Sequence, residues 1–564
     1  MRAIFDKVLF TLWSCHSWPA KVLIPLPSIR VGIQKDAEAL SSMVARRHFG
    51  SPAIVIVASL LAGALYAWFS GEDINWDWQN YHEYGAFALL NGRFDVDVVP
   101  GGFQSFLNPL VYVPAYLLRH GVGAPFWGIL IGAIHGLNLA LVWWISRLLL
   151  GASASAWAVL ASVVIAAFGP MTLSEVGTSF SDIVTALPVI ACLGLILSVG
   201  ERYAARLVVA GLLMGAAVGL KLTNATFLIG AVIALVVVDR PFPKIGAFAV
   251  GSAAGGFATG GAWAWKLWQQ FGSPVFPYFN TIFRSPEAPI EPITDVRFMP
   301  DGLLDALAYP FYWLIGDHRS SEFAFRDPRF AVAIVLLAMT IGAGFWRNAA
   351  VFRQRDKQFL LFFVVSYGLW LHMFAIHRYA IALELMAAPL IVLLVSRFIE
   401  TLRGPERSRT SLVPAACVVI VALAIVIWTR PADWLRRPWS DPYQPQLTGA
   451  LLTPATYMLL EKPTGYVVPL LPLASRAYQL SDIVLPIAPG GVLDRRIRWG
   501  LAHPLPGGVR ALFFVGTPPR NDLLAAYDLE LDGSRNCERI PAADHREISA
   551  CPLVRKSRTA QEPS

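Results

Sequence analysis

Eleven stretches of this chain read as membrane spans, and no other feature restricts its fold so strongly. They lie at residues 51–69, 126–147, 153–173, 181–199, 205–221, 223–239, 244–266, 329–346, 358–375, 380–398 and 411–429. A helix needs about 20 mostly apolar residues to cross a bilayer. Composition agrees: the chain is 55% hydrophobic and only 15% charged, against about 25% charged in soluble domains. The predicted fold class is an all-α polytopic membrane protein with about 11 transmembrane helices. A further run, NPLVYVPAYLLR at 108–119, is too short to span and carries Pro109 and Pro114. It reads as a helix lying along the membrane surface.

Charge sets the expected orientation. With the N-terminus in the cytoplasm, the cytoplasmic segments collect Arg46, Arg47, Arg147, Arg202, Arg206, Arg240, Lys244, Arg347, Arg353, Arg355, Lys357, Arg397, Arg403, Arg407 and Arg409. The short outer loops hold only Lys221 and Arg378. This is the asymmetry that positively charged loops impose on topology. It also accounts for the net charge of +8 without any nucleic acid. Counting 108–119 as a span would place the basic segment RNAAVFRQRDK outside, so that assignment is rejected.

Three regions follow. Residues 1–50 form an N-terminal extension. It lacks a clean signal-peptide core with a cleavage site, and Met43 followed by VARRHFGSPAIVIV reads as a more natural start. Residues 51–430 form the membrane domain, with a first outer loop at 70–125 and a long outer loop at 267–328. Residues 431–564 form an extracytoplasmic tail. Its run VRALFFVG at 509–516 is strand-like, and the tail is expected to be a small periplasmic α/β domain. Five cysteines are too few for a disulfide scaffold. Cys537 and Cys551 share the outer, oxidising compartment, where a disulfide persists; two free thiols are the alternative.

The polar residues then collect at one face. INWDWQNYHEYGAFALLNGRFDVD at 74–97 lies in the first outer loop. SEVGTSFSD (174–182), GLKLTN (219–224), FGSPVFPYFN (271–280) and HRYA (377–380) lie at other outer ends. Acids, amides and cations converging at one membrane face have the look of an active site. Asp77 is the candidate general base. Trp76 and Trp78 are expected to seat it at the membrane interface, where partial desolvation raises its basicity; an ordinary solvated loop acid is the plainer reading. Gln79, Asn80 and His82 can orient a sugar, or cap a helix that starts near Tyr81. Lys221 either snorkels outward or holds an anion. Arg378, beside His377, suits a phosphate. Asp182 fits a helix cap as well as a substrate contact, and SPVFPYFN fits a rigid turn.

These residues resemble a known family. An acid in the first outer loop, two surface helices after the first span, and about eleven spans are similar to the GT-C superfamily of integral-membrane glycosyltransferases. That superfamily includes protein O-mannosyltransferases and lipid A aminoarabinose transferases. The wording DWQNYHEYGAFALLNGR, GLKLTN, GSPVFPYFN and HRYAIALELMAAPL is similar to its bacterial members, over roughly residues 50–430. The family commonly has Asp-Glu or Glu-any-Asp in the first loop; here Asp77 is followed by Trp78. The resemblance implies a multi-pass protein of the bacterial inner membrane that transfers sugar from a polyprenyl-phosphate donor to a lipid, glycan or protein acceptor. It implies inversion in one displacement, with Asp77 as base, Lys221 and Arg378 on the leaving phosphate and His377 assisting. A divalent cation is left open, although no metal-ligand spacing stands out.

Three rivals remain. A transporter or flippase of lipid-linked saccharide needs charged or broken helices near the midplane, and these spans are clean. A surface-polysaccharide polymerase or ligase would use the same donor class. A scaffold would not need the aligned outer motifs. A sugar-nucleotide donor would call for a Gly-rich loop on the cytoplasmic side, and the sequence has none.

Overall fold

A computed structural model of the chain describes residues 51–151, 154–198, 203–293, 295–317, 319–404 and 413–556. The expected start near Met43, with Arg46, Arg47, Arg202, Arg407 and Arg409, lies outside these residues. The chain divides into a unit of residues 1–54 and a unit of residues 55–564; the packing below belongs to the second.

A helix stands at each expected position, but the helices differ in kind. In chain order they are α1 (Pro52–Ser70), then in the first outer loop α2 (Glu83–Leu90) and α3 (Val113–Gly121), then α4 (Phe126–Leu150), α5 (Ala156–Ala167), α6 (Pro170–Glu175), α7 (Ser181–Leu197), α8 (Tyr203–Leu220), α9 (Ala225–Val236), α10 (Pro241–Gly256) and α11 (Ala262–Phe271). After these come α12 (Leu303–Ile315), α13 (Arg329–Arg347), α14 (Gln354–Met373), α15 (Ile381–Arg403) and α16 (Val413–Trp428). Among the described residues, five helices are long and apolar enough to cross a membrane: α1, α4, α8, α13 and the segment His377–Arg403 that contains α15.

The other expected spans are shorter or interrupted, for local reasons. The run 153–173 breaks at Gly169, whose backbone is extended before Pro170, as a residue preceding proline prefers. α10 and α11 are joined through a π-turn at Phe257–Gly261. α14 opens on Arg355, Asp356 and Lys357, which lower its apolarity. Conversely, α12 lies inside the expected outer loop 267–328.

α15 is the centre of the bundle: 89% of its most apolar window is buried, against 17% for α1. A helix apolar on all sides is buried, whereas α1 keeps an outward apolar face. α8 and α10 pack backbone to backbone. A Cβ added to Gly211 would sit 2.0 Å from the Phe248 carbonyl oxygen, and one on Gly251 2.0 Å from that of Val208. Small residues at such spacing let membrane helices approach this closely.

Beyond α16 the chain makes β2 (Arg436–Arg437), which pairs antiparallel with β1 (Glu72–Asp73), Asp73 opposite Arg436. A larger sheet follows: β3 (Thr456–Leu459), β4 (Arg476–Gln479), β5 (Val509–Phe514), β6 (Leu529–Leu531), β7 (Glu538–Pro541) and β8 (Glu547–Arg555). The order is β4-β3-β5-β8-β6, with β7 also on β8. β3 runs parallel to β4 and β5, while β8 is antiparallel to its neighbours. One further helix, α17 (Val492–Ala502), lies between β4 and β5.

The first outer loop packs into this sheet. Ile74, Trp78, Tyr84 and Phe87 share a core with Tyr443, Tyr457 and Tyr466. Val98, Val99 and Phe106 share another with Met458, Tyr478 and Leu485. Val98 bridges Tyr478 at the edge of β4.

Cys537 and Cys551 are joined by a disulfide, with Cα atoms 4.2 Å apart and 14 residues of sequence separation. Closing a loop of that size stabilises the folded state by about 3 kcal/mol. Cys551→Ser is expected to lower the unfolding midpoint of the sheet region while leaving helical content unchanged. An unchanged midpoint by calorimetry in detergent would show that the crosslink adds nothing.

Candidate active site

The segment after α1 is organised by Asp73 and Asn75. Asp73 Oδ1 accepts from the Asn75 N–H at 3.1 Å. Its Oδ2 accepts from the Ser179 N–H at 2.8 Å and the Ser179 hydroxyl at 2.7 Å. Asn75 Oδ1 then accepts from the Trp78 N–H at 2.8 Å, as a helix cap does. The helix therefore begins before Trp78, not near Tyr81, and its first turn is a π-turn over Trp78–His82. Such turns recur at functional sites because they shift side chains off the regular helical face.

Asp77 lies at the start of this turn and is 6% exposed. Its Oδ2 accepts from Arg378 Nη1. Arg378 comes from the single turn His377–Ala380 ahead of α15. Its guanidinium sits among the rings of Phe180, Tyr379 and Trp434, 5.3–5.5 Å from each centroid. Its Nη2 is 3.9 Å from Glu322 Oε1. A second pair stands beside the first: Lys221 Nζ donates to Asp182 Oδ1 at 2.6 Å and lies 4.5 Å from the Tyr379 ring centroid. Tyr379 thus has both cations over its ring, each matched to an acid. Asp182 is in the first turn of α7 and makes no cap hydrogen bond; its other oxygen is buried without a partner.

The electrostatics differ from the sequence expectation in one respect. Burial alone would raise the Asp77 pKa, but the charge of Arg378 and its hydrogen bond outweigh it and hold the carboxyl below its ordinary value. Desolvation does not make Asp77 more basic here. Nor do two tryptophans seat it at the membrane interface. Trp76 is 38% exposed, but Trp78 is 3% exposed and packs on Tyr466 at 5.4 Å.

His82 joins the site. Its Nδ1 is 2.8 Å from Ser179 Oγ, and its ring stacks on Tyr112 at 4.2 Å. Because the Ser179 hydroxyl hydrogen is directed to Asp73, its oxygen is free to accept, and His82 Nδ1 carries the hydrogen. Burial pushes the His82 pKa down to about 4, against the pull of Asp77 and Asp73. The ring is neutral at physiological pH.

Gln79 and Asn80 give their amide nitrogens to the loop, and their side-chain oxygens are buried without a partner. Gln79 Nε2 donates to the Ile74 carbonyl at 2.7 Å and Asn80 Nδ2 to that of Gly101 at 2.9 Å. They brace the loop from within; neither caps a helix.

His377 is the clearest departure. It is completely buried and faces away from its neighbour Arg378. Its Nε2 is 3.3 Å from Asp327 and 3.6 Å from Glu384, and Trp313 and Phe325 enclose its ring. Arg329 completes the cluster. Its Nε and Nη2 donate to Asp327 at 2.7 and 2.8 Å, and Nη2 is 3.4 Å from Glu384. Among the described residues, Asp327, His377 and Glu384 are the one group spaced to hold a metal. The fit is poor, because Arg329 already neutralises the carboxylates and a divalent cation would face a guanidinium. Glu384 also accepts from the Met171 and Thr172 N–H groups at 3.0 and 2.8 Å. This is a buried ion-pair cluster that anchors α6 and α15. His377 does not reach the Asp77 site.

FGSPVFPYFN acts as a turn. Phe276 stacks on Phe271 at 4.2 Å, and Asn280 Nδ2 donates to the carbonyls of Ser285 and Ala288 at 3.0 and 2.8 Å. Sequence reasoning gave no individual role to Ser179, Phe180 or Tyr379, although its motifs contain them, and gave none to Tyr112, Glu322 or Trp434. Phe180, Ser179 and Tyr379 adjoin residues that it did pick out. Trp434 arrives from beyond α16, and nothing local marks it.

Solved structures with some similarity to the chain include two with TM-scores of 0.49 and 0.41. A crystal structure of ArnT from Cupriavidus metallidurans bound to undecaprenyl phosphate has a TM-score of 0.49 and 11% identity, covering 88% of this chain and 97% of that one. A crystal structure of the Archaeoglobus fulgidus oligosaccharyltransferase, in complex with Zn and sulfate, has a TM-score of 0.41 and 13% identity, covering 75% of this chain and 62% of that one. No curated protein matches. Residues 106–371 match glycosyltransferase family 87, a stretch that contains Asp182 and Lys221. Over residues 106–371 the chain is therefore similar to glycosyltransferase family 87, and its apolar helices are those of a multi-pass membrane protein.

Proposed function

We propose that the enzyme transfers a sugar from a polyprenyl-phosphate carrier to an acceptor at the outer face of a bacterial inner membrane, inverting the anomeric centre in one displacement. The observation behind this reading is the double acid–cation arrangement about Tyr379, Asp77 with Arg378 and Asp182 with Lys221. The acceptor hydroxyl gives its proton to Asp77 while its oxygen bonds to the anomeric carbon. The bond from that carbon to the phosphate oxygen breaks, and its electron pair leaves on polyprenyl phosphate. A carboxylate beside the sugar steadies the oxocarbenium-like transition state, and Arg378 and Lys221 meet the charge that develops on the phosphate. His82 serves as a neutral hydrogen-bond partner for the sugar or acceptor.

This scheme gives the Asp77–Arg378 pair a second role. Without donor, Arg378 keeps Asp77 ionised and weakly basic. A donor phosphate competes for Arg378 and returns basicity to Asp77 as it binds. In the proposed topology eleven spans place the N-terminus in the cytoplasm, and residues 431–564 form a periplasmic domain. The first outer loop then meets its substrates at the periplasmic surface.

Native mass spectrometry of the detergent-purified protein with added polyprenyl-phosphate lipids tests the reading. The wild type is expected to retain the lipid. Lys221→Ala and Arg378→Ala are each expected to weaken retention at least about tenfold, the cost of losing a hydrogen bond to a charged group. Equal retention in all three proteins would overturn the phosphate assignment. No retention by a folded wild type would overturn the lipid-donor reading.

A further inference from the structure

One carboxyl group beside the site has no part in the proposed reaction. Glu175 ends α6 and is completely buried. Its Oε2 accepts from the Ile183 N–H at 3.0 Å, in the first turn of α7 and next in sequence to Asp182. Its Oε1 is buried without a partner. Asp182 matches it: Oδ1 accepts from Lys221 Nζ at 2.6 Å, and Oδ2 is buried without a partner. Two acids therefore stand at one helix end, each with one orphan oxygen. The backbone that carries Glu175 is pinned, because its carbonyl accepts from the Thr178 N–H at 3.1 Å and the Thr178 hydroxyl at 2.7 Å.

Buried acceptors without donors are costly, and neighbouring buried carboxylates do not both stay ionised. The surrounding charges decide which of the two gives way. Lys221 is bonded to Asp182, and Arg378 to Asp77. Glu384, on α15 packed against α6, is held by Arg329 and by the Met171 and Thr172 N–H groups. Arg436 of β2 gives Nη2 to the carbonyls of Ser174 and Val176, and His135 of α4 accepts from the Gly177 N–H at 3.3 Å. Each cation is thus engaged elsewhere. Burial, and after it the charge of Asp182, push the Glu175 carboxyl well above the ordinary carboxylate range; Lys221 and Arg378 pull the other way without outweighing them. Glu175 is the acid that keeps its proton, and its O–H is a donor.

We infer that Glu175 is a positioning residue: as a neutral acid it gives its hydrogen bond to Asp182 when Lys221 turns to the donor phosphate. The released carboxylate is then not stranded in the core, which is what makes breaking a buried ion pair costly. No proton is gained or lost; the hydrogen bond to Asp182 passes from Lys221 Nζ to Glu175 Oε1. The switch rests on the proposed phosphate role of Lys221, whereas the proton on Glu175 does not. Infrared difference spectroscopy of the full-length protein in detergent reads that proton. A protonated-carboxyl C=O band at neutral pH, missing from Glu175→Gln, is expected. Identical carboxyl bands in the two proteins would overturn the proposal.

Equilibrium binding of farnesyl phosphate, a short polyprenyl phosphate, reads the switch. Glu175→Met, which has no donor, is expected to weaken binding about tenfold, the value of a hydrogen bond to a charged group. Glu175→Gln, whose amide donates at every pH, is expected to restore it. In the wild type, affinity is expected to fall as the pH rises through the Glu175 pKa, because the ionised carboxylate no longer donates and holds Lys221 back. That fall is expected to be absent from Glu175→Gln; titration of Lys221 itself would leave it there. The same alkaline fall in Glu175→Gln, or full affinity in Glu175→Met, would overturn the proposal. Weakened binding in Lys221→Ala with no Glu175 band would sink the inference and leave the phosphate reading standing. Wild-type affinity in Lys221→Ala, with the band present, would overturn the phosphate reading and the switch with it, and Glu175 would stand only as a buried neutral acid.

Discussion

Asp77→Asn is expected to reduce kcat by about 10²–10⁴-fold, the usual contribution of a positioned general base. The amide keeps the shape of the carboxyl and can still accept from Arg378, so the bundle should assemble. What it loses is the ability to take a proton. A structural explanation of the loss predicts weaker donor binding as well. The geometry predicts the opposite: Asp77 is a direct competitor for Arg378, and neutralising it leaves the guanidinium freer to hold a phosphate. Donor retention should be equal to or stronger than wild type. Because Arg378 holds the Asp77 pKa down, the acid limb of kcat/KM in the wild type should fall below about 3.9, the ordinary value for aspartate. In kcat, where bound donor occupies Arg378, the limb should lie higher. Wild-type turnover in Asp77→Asn would remove the residue from the chemistry.

Arg329→Met is expected to cost stability instead, by about 3–5 kcal/mol, as when one member of a buried ion pair is removed. Arg329, Asp327, His377 and Glu384 are all completely buried. Without the guanidinium, two carboxylates are left with one imidazole. Thermal unfolding in detergent would show the loss, and donor retention by the surviving folded protein should be unchanged. His377→Gln gives the complementary measurement. If it weakened lipid retention without lowering the unfolding midpoint, His377 would belong to the phosphate site after all. A Tm near that of wild type for Arg329→Met would mean that the cluster does not hold α6 to α15.

The helices were legible because apolarity over twenty residues is a local property. The cations of the site were legible for a related reason: Lys221 and Arg378 are rare charges between apolar runs. Which acid each of them faces was not. His377 and Arg378 are adjacent in sequence, and a single helical turn sends one into the bundle core and the other into the site. Trp76 and Trp78 read alike, yet the two-residue offset makes one a surface ring and the other a core ring beneath Tyr466. Gln79 and Asn80 give their amide N–H groups to carbonyls of their own loop, while their side-chain oxygens stay buried without a partner. The basicity of Asp77 depends on a guanidinium 301 residues away, which no window of sequence contains.

The pairing of β1 with β2 bears on how the enzyme is made. Asp73 lies opposite Arg436, and the Arg93 guanidinium donates to the carbonyl of Leu473 at 2.6 Å. The ribosome must therefore add more than three hundred residues between the loop and the strands that complete it. At about 5–20 residues per second that is a wait on the order of 20–70 s. For the first 301 residues of it, Asp77 has no Arg378 to pair with. A nascent chain stalled before Arg378 lacks the Asp77–Arg378 pair, and one stalled before Arg436 lacks the strand that pairs with β1.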